Sequence, residues 1–71
     1  MKTSELFGKE VLDANANRVG KVADIEFDLS QGVVNNLIVK AGFTKKLTIP
    51  LSSIDKMGDK IILKVKQEEL K

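Results

Sequence analysis

The chain has 71 residues, no cysteine and no histidine, and 12 basic against 10 acidic side chains give a net charge of +2. This excludes disulfides, thiolate or imidazole metal sites and a histidine general base, and the small charge excess is no nucleic-acid footprint. A domain this short sits near the lower limit for a self-sufficient core, so self-association would add stability.

The N-terminal stretch MKTSELFGKEVLD has no long apolar region of the kind a signal peptide carries, and no apolar run approaches the roughly 20 residues that span a bilayer. Together with the missing cysteines, this makes a cytoplasmic protein the expectation. Residues 1–71 read as one domain, without linker, low-complexity segment or internal repeat.

Strand signals dominate in chain order. TSELF, residues 3–7, is a short turn, and KEVLD, residues 9–13, a first strand. DANANR is the turn after it. RVGKVADIEFDL, residues 18–29, is a long second strand, with Ala23, Ile25, Phe27 and Leu29 on the inner side and Asp24, Glu26 and Asp28 on the outer. Val22 breaks that parity, and Gly20 suggests a bulge or bend near residues 20–22.

SQG, residues 30–32, forms the next reversal, and GVVNNLIVKA, residues 32–41, a third strand that is apolar on both parities. Val33, Leu37 and Val39 occupy one face, Val34 and Ile38 the other. AGFTKK turns the chain into KLTIPL, residues 46–51, with Leu47, Ile49 and Leu51 on one face. Pro50 has no N–H for a ladder, so this strand lies at an edge or ends there. SSIDK is expected as a helical turn or bridge. A hairpin follows with Gly58-Asp59 at its tip; beyond it Ile61, Leu63 and Val65 face in, Lys64 and Lys66 out. QEELK, residues 67–71, is a charged tail with the pattern of a helical turn. Five or six short strands at this spacing imply an all-β fold, a small antiparallel β-barrel.

Two acidic patterns raise the question of a metal. Asp13, Asn15 and Asn17 stand as the first, third and fifth ligands of a calcium loop would. Arg18, however, takes the place of the required glycine, and Asp24 is too short for the closing bidentate glutamate. Asn and Asp close turns through their own side chains, so the stretch reads as a turn. Asp24, Glu26 and Asp28 form an acidic stripe, a candidate charged rim for a basic partner or cation; its plainer explanation is a solvated strand face paired with lysines. No metal or other cofactor is expected.

Catalysis is not expected either. The serines and threonines have no histidine to activate them, and no apolar pocket is evident that would lower a lysine pKa. Lys40, Lys45, Lys46, Lys56, Lys60, Lys64 and Lys66 give the C-terminal half a basic bias. Single-strand binding relies on stacking aromatics, and only Phe7, Phe27 and Phe43 are present, Phe27 on the inner face, so nucleic acid is not the expected partner. The two-faced third strand points instead to protein contact. Val34, Leu37, Ile38 and Val39 are the apolar candidates, with a second copy, as a homodimer, the simplest partner.

Five motifs occur in order: Leu6, Gly8, Lys9 and Val11; Gly20, Val22 and Asp24; the aliphatic run Leu37–Val39; Ile49-Pro50; and Gly58-Asp59. In this the chain resembles the PRC-barrel family, and is similar to its small stand-alone archaeal members, from Leu6 to Val65. Asn17 stands where the family often has Gly, and Asn is the next best residue for left-handed backbone. The resemblance implies a small all-β barrel acting as a binding module or adaptor, without catalytic residues. It also implies an alternative, an RNA- or ribosome-associated factor, since the family includes the C-terminal domain of the ribosome maturation factor RimM.

Overall fold

The computed structural model describes residues 2–66. The expected tail, residues 67–71, lies outside them. One turn of helix, α1 (Thr3–Leu6), leads into six strands: β1 (Glu10–Leu12), β2 (Arg18–Asp28), β3 (Val33–Ala41), β4 (Lys45–Pro50), β5 (Ile54–Met57) and β6 (Ile61–Leu63). A single 3-10 turn at Leu51–Ser53 bridges β4 and β5. The all-β expectation holds, as does the hairpin around Gly58-Asp59.

All strands form one sheet in the order β4-β3-β2-β1-β6-β5, curled into a half-barrel. Two features differ from the closed antiparallel barrel read from the sequence. β1 and β6 pair in parallel, Val11 against Ile61 and Leu12 against Ile62. β4 and β5 remain sheet edges. Period-two patterning is blind to strand direction, and so could not reveal the parallel pair. Pro50 ends the β4 edge strand, opposite Asn36, where no N–H is required of it.

The concave face holds the core. Val11 of β1, Leu37 and Val39 of β3, Leu47 and Ile49 of β4, and Ile61 and Leu63 of β6 are buried, and Leu6 of α1 joins them. β2 contributes Val19, Val22 and Ile25, at spacing three rather than two. The cause is a pair of irregularities. Val19 is an extra residue against β1, between the Val11–Gly20 and Leu12–Arg18 pairs. Ala23 is an extra residue against β3, between Val22–Val39 and Asp24–Ile38. The bulges thus flank the 20–22 stretch where Gly20 suggested one. Each lets an apolar side chain regain the core after a break in alternation.

Three inner-face assignments are corrected by this geometry. Ala23 is exposed, Phe27 is 55% exposed and Leu29, in the turn after β2, is 89% exposed. Leu51 likewise leaves the β4 row for the 3-10 turn and is partly exposed. The β2–β3 ladder continues past the last strand that could cover it, so correct parity no longer ensures burial.

Candidate functional site

The DANANR turn closes on Asp13, which is buried at 1% exposure. Its Oδ1 accepts the backbone N–H of Asn15 at 2.9 Å and of Asn17 at 2.7 Å, and its Oδ2 accepts from Asn17 Nδ2 at 3.4 Å. The carboxylate is therefore spent on the turn's own donors. Among the described residues no cluster of three acidic side chains could hold a metal ion. The residue with left-handed backbone is Ala16, at φ 65°, and not Asn17.

The acidic stripe is present but locally engaged. Asp24 and Glu26 are exposed on the convex face. Asp24 Oδ1 accepts the N–H of Ile25 at 2.8 Å, and Glu26 Oε1 accepts Asn36 Nδ2 across the ladder at 2.8 Å. Asp28 shapes the β2–β3 turn, accepting from Ser30 Oγ at 2.6 Å, Ser30 N at 3.0 Å and Gln31 N at 3.3 Å. The Ser30 hydroxyl, chiefly, holds its carboxyl below the ordinary aspartate value. No lysine pairs with the stripe among the described ion pairs. The lysine partners expected there are replaced by Asn36 and backbone amides.

The four apolar candidates do not form one patch. Leu37 (1% exposed) and Val39 (0%) belong to the core. Val34 is half-buried and packs against the core's edge. Ile38 alone lies on the convex face, half-buried between Asp24 on β2 and Thr48 on β4. The exposed apolar surface gathers instead at the far end of the β2–β3 ladder. There Phe27 pairs with Val34 on one face of the ladder, Val33 pairs with Asp28 on the other, and Leu29 is exposed in the turn that joins them. A pattern that assigns inner and outer faces could not find this surface, because Phe27 has inner parity and the register shift just before it, where Asn35 is an extra residue on β3, leaves no mark in the sequence.

The opposite end of the ladder is basic. Lys21 stands opposite Lys40, and Lys40 opposite Lys46, so three lysines run side by side across β2, β3 and β4 on the convex face. Glu10 is opposite Lys21 on β1, but its carboxylate is held by Arg18 Nε at 2.9 Å and Lys60 Nζ at 3.1 Å. The Lys60 hydrogen bond, aided by the charges of Lys60, Arg18 and Lys21, holds the Glu10 carboxyl below the usual range. A cleft of about 500 Å³ opens at this end, lined by Arg18, Gly20, Lys21, Lys40, Gly42 and Phe43. In the sequence Lys40 and Lys46 belong to the basic bias of the C-terminal half and Lys21 does not; bringing it beside them needed the register of β2 on β3.

A family model described as the PRC-barrel domain matches residues 1–70. Among solved structures, a Pseudomonas aeruginosa protein named as a 16S ribosomal RNA processing protein, RimM, is similar at a TM-score of 0.73. Identity is 12%, and the match covers 96% of this chain and 45% of that one. The chain thus spans less than half the length of that structure, and the likeness is one of fold. No curated protein matches the chain.

Proposed function

The chain belongs to the PRC-barrel domain family, and we propose that it is a non-catalytic interaction module, an adaptor that self-associates. The observation that carries this is the exposed apolar end of the β2–β3 ladder, Phe27, Leu29 and Val33, with Val34 beneath it. Exposed apolar side chains brought to one end of a ladder, on both of its faces and beside charged neighbours, suit an end-on interaction site. Glu26 and Asp28 form the rim. Leu37 and Val39 support the patch from the core and make no contact of their own. A module of the archaeal type working in the cytoplasm completes the proposal.

Sedimentation equilibrium over a concentration series tests it. A dimer is expected, and Leu29→Lys, a change at an exposed turn residue, should convert it to a folded monomer whose melting temperature matches that of the parent at high dilution. A parent protein that stays monomeric throughout, or a variant as dimeric as its parent, would remove the patch from the account.

One observation favours a second reading, an RNA- or ribosome-associated factor: the uninterrupted lysine row Lys21–Lys40–Lys46. Phosphate contact would make RNA affinity fall steeply with salt.

A further inference from the structure

The lysine row costs the fold something, and only Lys21, through the field at Glu10, returns any part of it. Like charges directly opposite one another destabilise a sheet, and here the opposition occurs twice in succession, Lys21–Lys40 and Lys40–Lys46. Among the described residues no salt bridge reaches any of the three, since the neighbouring carboxylate of Glu10 is occupied by Arg18 and Lys60. Beside the row, between Val19 and Lys21, the cleft wall at Gly20 is bare backbone. A Cβ on Gly20 would lie 2.2 Å from the Lys40 carbonyl oxygen, so no side chain fits there. Gly42, at φ 77°, turns the chain and sets Phe43 at the rim, where it is 98% exposed. An aromatic ring left almost wholly in water forgoes the burial that usually places it.

We propose that this cleft binds a single-stranded nucleic-acid segment, with its phosphates along Lys21 and Lys40 in the cleft and on to Lys46 beside it, and one base stacked on Phe43. The proposal rests on the RNA-associated reading and narrows it to one site and one form of ligand. Neighbouring strands are about 4.8 Å apart, and flexible lysine stems can spread their ammonium groups to follow successive phosphates. A cationic track beside an exposed aromatic ring is the combination that takes single strands without sequence preference, because every base has a π-face. A duplex hides those faces in its stack. An acidic peptide would meet the lysines but has no base to lay on Phe43.

The test is fluorescence anisotropy of the full chain with a labelled single-stranded RNA of mixed sequence, about 12 nucleotides long, between about 50 and 200 mM salt. Three phosphate contacts predict log K falling with log salt at a slope of about −2. A duplex of equal length should bind at least about tenfold more weakly. Phe43→Ala should weaken binding about 5- to 100-fold with the slope unchanged. Lys40→Thr should flatten the slope by about 0.7 while leaving the melting temperature equal or higher, since it relieves the like-charge opposition. Parental affinity in both variants would overturn the site and leave the RNA-associated reading standing. No retention of RNA at the lowest salt would overturn both. Lysine-dependent binding of a polyglutamate peptide, insensitive to Phe43→Ala and without single-strand binding, would assign the cleft to an acidic protein and overturn the proposal.

Discussion

Ala16 occupies left-handed backbone at φ 65° with no glycine to ease it. A Cβ in that region costs roughly 1–2 kcal/mol, and the turn holds it there through Asp13, whose backbone carbonyl accepts the Ala16 N–H at 3.0 Å. Ala16→Gly should therefore raise stability by about 0.5–1 kcal/mol, read as a higher urea midpoint at constant slope. The sequence suggested a turn at this place correctly, because Asp and Asn close turns chemically. Which residue would take the unusual φ depended on how β1 meets β2, and that is not local information. Glu10 offers a second test at this scale. Its carboxyl is held below the ordinary 4.5 mainly by Lys60, so the folded state binds this proton less readily than the unfolded chain. Stability from this group is present above 4.5 and is lost as pH falls through the lowered folded value. Asp28 acts likewise below 3.8. Glu10→Gln should flatten the acid limb of a melting-temperature profile while Asp28 keeps its share.

β2 is the element in which local pattern and tertiary structure part company. Ile25 and Phe27 have the same parity, yet Ile25 is buried and Phe27 is not. At concentrations low enough for the monomer, Ile25→Ala should cost about 2–4 kcal/mol through lost burial and the cavity left behind, whereas Phe27→Ala should cost under about 1 kcal/mol. Equal losses in urea unfolding would mean that Phe27 is covered. The strands themselves were legible because Val, Ile and Leu recur with period two and turn residues separate them. The bulges at Val19 and Ala23 were not, since an extra residue leaves no composition signal and appears only as a changed register against β1 and β3. Those unseen shifts also hid the proposed surfaces. The register they set places Ile25 against Leu37, Phe27 against Val34 and Lys21 against Lys40.

At the scale of the whole molecule, an open sheet leaves two edges to be managed. β4 carries Lys45, Lys46 and Pro50, and β5 carries Asp55 and Lys56, which discourage strand addition from another chain. Association through the Phe27 end avoids both edges, and it predicts a melting temperature that rises with protein concentration; Leu29→Lys should abolish that dependence. The parallel pairing of β1 with β6 has a consequence in time rather than in space. Val11 must find Ile61 across almost the entire chain, while β2, β3 and β4 meet their neighbours through short reversals. Closing so long a loop comes at an entropic cost before its contacts reward it. The β2–β4 meander should therefore be structured in the folding transition state and the β1–β6 seam formed late, with φ-values high at Leu37 and low at Val11 and Ile61. During synthesis the first strand would then wait, unpaired on that side, until the last one has left the ribosome.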